Sequence, residues 1–156
     1  MTEIAQYQSR YSSVLPRAAR LILRKPRMAL MVLRMTSWIA VVSVAIKALP
    51  LPRAMRLLEP HSRSIASGNS AKLEAIASLL DSLLATNFLF LTPTCWKRAP
   101  VLRRFLALEG IETRIVFGVR RDGDEQLTGH AWLEADGKPL LEPTTPEYKI
   151  TFTYPS

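Results

Sequence analysis

Apolar positions recur at helical spacing in two stretches of the chain and then give way to alternation after about residue 112. Leu73, Ile76, Ala77, Leu80, Leu83 and Leu84 recur at three and four, which predicts a helix over 71–84 with one face in a core and Ser70 as its cap. Val101, Leu102, Phe105, Leu106 and Leu108 predict a second helix over 96–108, stopped by Gly110. Pro100 cannot donate to the carbonyl of Trp96, a loss that is tolerable only because the helix starts close by, near Cys95. Strands are expected at 113–119, 128–134, 138–142 and 148–154, and Asp136-Gly137 marks a hairpin between the second and third. Arg120 to Glu125 is a charged turn, and Phe88 to Leu91 is a short apolar approach to Thr92-Pro93-Thr94. The layout is α+β, two helices followed by an antiparallel sheet.

Residues 1–60 carry no strand pattern and read as helices broken at Pro16, Pro26 and Pro50-Leu51-Pro52. Met28 to Ala48 is the most apolar stretch, yet Arg34 interrupts it and its longest uncharged run, Met35 to Ile46, has 12 residues. A spanning helix needs ~20 apolar residues, so a helix buried in the fold or facing a partner is expected instead. Arg63 to Asn69 forms a polar linker containing Gly68, and His61 beside Pro60 is read as part of that boundary. All six glycines lie beyond residue 60, where turns and bulges are needed. The expected division is a basic helical region, 1–60, followed by a catalytic core, 61–156.

The net charge is +8, and residues 1–60 hold ten Lys/Arg against two Glu while the rest is balanced. Arg17, Arg20, Arg24, Lys25 and Arg27 beside an apolar helix suit a solvated face, an anionic lipid surface or an acidic partner. Nucleic acid is not expected, because the cluster lacks interleaved aromatics and shows no groove-reading motif. The first 25 residues contain no apolar signal core and cysteine is scarce, which predicts a cytoplasmic protein, with peripheral contact at the inner membrane surface through residues 28–48 as a further expectation.

The chain has one cysteine, Cys95, at the start of the second predicted core helix, and His130 follows on a predicted strand. A single cysteine forms no internal disulfide, and one Cys with two His make a poor metal set, so neither metal nor cofactor is expected. A buried thiol acting as a small hydrophobe is the bland alternative. The sharper reading is a nucleophile with its base: amide groups and the positive dipole end at the helix start favour thiolate, and an imidazole can hold the proton and deliver it to a leaving amine.

A third residue should orient the imidazole through its other nitrogen, and Glu134, Asp136 and Glu142 are the candidates. Asp136 is explained by its turn. Glu134 stands four residues along the same strand, roughly 13 Å away. Glu142 depends on the hairpin. A two-residue loop pairs Ala135 with Lys138 and turns Glu142 away from His130, whereas a three-residue loop with a bulge at Gly137 sets the two directly opposite, at ~5 Å between Cβ atoms. Trp132 shares the face of His130, as core packing or as a wall of the site.

Cys95-Trp-Lys-Arg98-Ala, the following helix to Gly110, Val116-Phe-Gly118-Val-Arg120 and His130-Ala-Trp132-Leu-Glu134-Ala-Asp136-Gly137 resemble the transglutaminase-like cysteine proteases of lasso-peptide biosynthesis over about residues 50–145. Pro50 to Pro60 also resembles the segment those proteins carry ahead of the catalytic part. The resemblance implies a papain/transglutaminase-like core and removal of the leader from a ribosomally made precursor, with Cys95 as nucleophile, His130 as base and an acid shortly after it. Glu142 stands about where family members usually place an Asp, and Pro100 where they commonly show an apolar helix former. The implied partners are the precursor peptide, a leader-recognition domain and a macrolactam cyclase. Residues 1–60 do not look like that small β-rich recognition domain, so it is expected as a separate chain.

The leading expectation is thus a cysteine peptidase working through an acyl-enzyme, with an oxyanion donor at the Cys95 amide. Alternatives are an acyltransferase using the same residues, a non-catalytic peptide-binding module on the same fold, and a membrane-associated helical protein.

Overall fold

The computed structural model describes residues 26–59, 70–87, 91–122, 126–142 and 146–155. The break at Pro16, the linker with His61 and Gly68, Phe88 to Phe90 and the tip of the charged turn at 123–125 lie outside them. Helix α1 spans Pro26–Ala48, with proline at a position where its missing amide costs nothing, and α2 spans Leu51–Leu57 after the predicted proline break. Helix α3, Ser70–Leu84, and helix α4, Cys95–Leu108, follow. The strands are β1, Arg114–Asp122, β2, Gln126–Ala135, β3, Lys138–Leu140, and β4, Lys149–Tyr154. They form one antiparallel sheet in the order β3-β2-β1-β4.

Helix α4 runs unbroken through Pro100, whose ring is buried. It ends as the sequence suggests. Gly110 has φ 78°, its amide donates to the Ala107 carbonyl, and the Ile111 amide donates back to Leu106, so the left-handed glycine satisfies two terminal carbonyls. Val101, Leu102, Phe105 and Leu106 of α4 meet Ile115, Phe117, Ala131 and Leu133 from one face of the sheet. Ile76, Ala77, Leu80 and Leu84 of α3 and Met35, Ile39, Val42 and Ala45 of α1 join the same cluster. The apolar first part of the chain therefore supplies one wall of the core.

Two polar networks tie the layers to α4. Asp81 of α3, nearly buried, receives Nε of Arg98 at 2.7 Å and Nη2 at 3.1 Å. The buried Arg103 donates to the Thr113 carbonyl and to Glu59, which also accepts from the Tyr154 hydroxyl. Glu59 ends the α2 segment and Tyr154 belongs to β4, so one guanidinium joins helix, strand and the preceding loop. Arg104 beside it donates to the Leu58 carbonyl and lies 3.6 Å over the ring of Trp38, which ties α1 to the helix that carries Cys95. Burial, with Arg34 nearby, lowers the pKa of Arg104.

The hairpin at Asp136-Gly137 has two residues in its loop. Both have positive φ, 50° and 74°, and Ala135 pairs with Lys138, Glu134 with Pro139 and Leu133 with Leu140. The bulged three-residue alternative is not formed. Strand β3 stops at Leu140, short of the expected Glu142, because Leu141 takes up a left-handed conformation with φ 59°. Beyond Leu133 the outer edge of β2 has no β3 residue paired to it, which leaves the edge near His130 open to the chain that follows.

Candidate active site

Cys95 is the first residue of α4, with Thr94 in an extended conformation before it. The amides of Lys97 and Arg98 both donate to the Thr94 carbonyl, so the amides of Cys95 and Trp96 precede the helical ladder. The thiol is partly buried, against the edge of the core. The ion pair from Arg98 to Asp81 is made one turn into the helix and fixes this end of α4 on α3. Lys97 donates to the Thr92 hydroxyl, linking the first turn of the helix to the loop ahead of it. Burial, and then the charge of Lys47, lowers the pKa of Lys97.

His130 lies on β2, opposite Gly118 of β1. Its Nε2 is 3.2 Å from Oε2 of Glu142, and the Cys95 side chain is the other group that acts on the imidazole. With Nε2 directed at the carboxylate, Nδ1 is the nitrogen that remains for a second partner. The bond to Cys95 and then the bond to Glu142 raise the imidazole pKa to about 9, against the opposing effect of burial. The upward shift favours the charged imidazole, which donates to Glu142.

The two-residue hairpin register turns position 142 away from His130, yet the two side chains meet. That register fixes the side of Glu142 only if strand alternation continues through residue 142. It ends at Leu140, two residues earlier. The left-handed backbone of Leu141 breaks the alternation after β3, and the Glu142 side chain reaches His130 on β2. Glu134 is not available to the imidazole. One of its oxygens accepts from the Trp132 indole at 3.1 Å and the other meets Arg114 at 2.6 Å. Asp136 stays in its turn.

The imidazole is held between two aromatic rings. Trp132, two residues along β2, stacks nearly parallel to it at 16° with centroids 5.8 Å apart. Tyr148, in the segment before β4, approaches to 5.3 Å on a tilt, and the Arg120 guanidinium lies 4.9 Å over the tyrosine ring. The place for this cluster is made by Gly118: a Cβ there would stand 2.6 Å from Cβ of Tyr148 and 3.1 Å from the Trp132 ring. Of the two expectations for Trp132, core packing or a wall of the site, its stacking on His130 fits the wall, while Tyr148, Arg120 and Gly118 are not singled out by the sequence pattern. Gly118 carried a usable signal, since a glycine inside a strand pattern often marks a close approach. Tyr148 carried none, because its position follows from a loop and not from a periodicity.

Cys95 at a helix start and His130 on an antiparallel sheet stand in an α+β fold whose helices pack on one face of that sheet. A family model described as the Transglutaminase-like superfamily matches residues 38–153, most of the chain, and the chain belongs to that superfamily, which includes cysteine proteases. No curated protein and no solved structure matches it.

Proposed function

We infer that this chain is a cysteine peptidase that removes the leader from a ribosomally synthesised lasso-peptide precursor, with Cys95, His130 and Glu142 as its catalytic residues. The observation that carries the reading is the 3.2 Å contact between His130 and Glu142, with Cys95 at the start of α4 as the other group that raises the imidazole pKa. The lasso assignment is supported by the order and spacing of the residues from Pro50 to Gly137.

In the first step the sulfur of Cys95 attacks the carbonyl carbon of the last leader residue, and the carbonyl oxygen becomes an oxyanion facing the amide of Cys95. The imidazolium of His130 then gives its proton to the departing nitrogen. The core peptide leaves with a free amino terminus, and the leader remains as a thioester. In the second step His130 takes a proton from water, the hydroxyl adds to the thioester carbon, and the leader leaves with a carboxylate as the thiol group is restored. Glu142 keeps the imidazole oriented and stabilises its positive charge in both steps.

A free amino terminus on the core is what a macrolactam cyclase needs as its nucleophile, so the reaction precedes ring closure. A separate leader-recognition protein presents the substrate. The test is to mix the chain with a precursor peptide and its recognition protein and to follow both fragments by mass. Wild-type chain should yield a leader with a free carboxylate, and Cys95→Ala should yield none. Undiminished cleavage by Cys95→Ala would overturn the assignment.

A further inference from the structure

Helix α1 is apolar on two opposite sides, and only one of them is used by the fold. Met35, Ile39, Val42 and Ala45 face inward and are buried. Leu30, Leu33, Val41 and Val44 face outward, and Leu33 and Val44 are 64% and 66% exposed. These four, with Ser37 between them, recur at helical spacing and make one apolar stripe along the helix. An open apolar depression lined by Ala40, Ser43, Val44, Lys47 and Ala48 continues it toward the end of the helix. A helix that is hydrophobic all round is ordinarily covered on all sides.

The charges around the stripe indicate what covers it. Arg27, Arg34 and Lys47 are exposed and flank the stripe, and α1 contains no acidic residue. Between Glu3 and Glu59 the sequence has ten Lys/Arg and no Asp or Glu. A second copy of the same face would bring these cations together, and so self-association is opposed by like charge. An anionic bilayer satisfies both features at once: acyl chains take the stripe, and headgroups take the flanking cations. We propose that the outward face of α1 docks this protein on an anionic phospholipid surface.

The helix lies in the plane of the interface and does not cross it. Its 23 residues are long and apolar enough to span, but Met35, Ile39 and Val42 are committed to the core, and Trp38 is under Arg104. The packed face holds the rest of the domain alongside the helix, where a spanning segment would have lipid or another span.

Sedimentation of the full chain with vesicles tests this. Binding is expected to phosphatidylcholine vesicles containing about one-third phosphatidylglycerol, and it should weaken as salt rises and be slight with phosphatidylcholine alone. Leu33→Asn with Val44→Asn should weaken binding at least about tenfold with an unchanged melting temperature. Arg27→Gln with Arg34→Gln, which leaves the apolar stripe intact, should lose about fivefold per cation. Equal binding to neutral and anionic vesicles, or none to either, overturns the proposal. So does a lipid-free dimer that Leu33→Asn with Val44→Asn dissolves, which would give the face to a second copy.

Discussion

Glu142 meets the imidazole of His130 at 3.2 Å because Leu141, between it and the end of β3, has a left-handed backbone. The contact depends on one φ angle of 59° in a residue that pays a steric penalty for adopting it. Leu141→Gly should keep the contact and full activity, since glycine adopts that angle freely. Leu141→Pro, with φ held near −65°, should displace Glu142 and lower kcat/KM at least about tenfold. Steady-state cleavage assays on the two variants distinguish the outcomes, and equal activity in both would remove the role given to Leu141.

The charge on His130 sets a pH window. Its pKa is about 9 in the folded chain and 6.5 as a free imidazole, so its bonds to Cys95 and Glu142 contribute stability that is complete below pH 6.5 and is lost as pH rises through 9. The melting temperature should fall across that interval, and the rate of cleavage should fall with it as the proton donor for the leaving amine is lost. Glu142→Gln removes one of the groups that raise the pKa. In that variant the alkaline limb of the rate profile should move to lower pH, and kcat should drop by about a hundredfold. An unchanged limb would show that another group titrates.

Gly118→Ala should damage the site from the neighbouring strand. Its new Cβ would stand 2.6 Å from Cβ of Tyr148, and neither backbone can yield without moving a strand or the segment before β4. A stability loss of about 1–3 kcal/mol is expected from denaturant titration, together with lower kcat/KM. Because Tyr148 receives the displacement, adding Tyr148→Ala to Gly118→Ala should cost less than the two changes summed. Strict additivity would mean that the contact does not transmit the damage.

Removal of one partner from the part-buried pair of Asp81 and Arg98 should be costly. Asp81→Ala removes the carboxylate that accepts twice from the part-buried Arg98, one turn from Cys95, and about 1–3 kcal/mol of destabilisation is expected. Arg98→Met in the same background should restore part of the stability but not the activity, because the anchor of the helix start on α3 is still missing. Urea denaturation of the single and double variants checks the first half, and the cleavage assay the second.

Local chemistry made much of the fold legible in advance. Spacing at three and four located α3 and α4, Gly110 ended α4 through its left-handed carbonyl bonds, and Asp136-Gly137 placed the hairpin. These features depend on residues within a few positions of one another, so the sequence carries their cause directly. The same holds for placing Cys95 at a helix start and His130 on a strand.

The meeting of those elements was decided by tertiary structure. Alternation in β3 argued that a two-residue turn would send Glu142 away, and it failed at Leu141, where nothing in a leucine announces a positive φ. Tyr148 reached His130 through the gap at Gly118, a contact between two strands' neighbours that no periodicity encodes. Spacing also could not assign the outward stripe of α1 to solvent, core or partner, since both sides of that helix are apolar and only packing shows which is used. The sequence by itself determined the elements and the chemistry they carry, because those follow from short-range backbone and solvation preferences. Which side chains touch was settled only in three dimensions, because each contact depends on the packing of segments far apart in the chain.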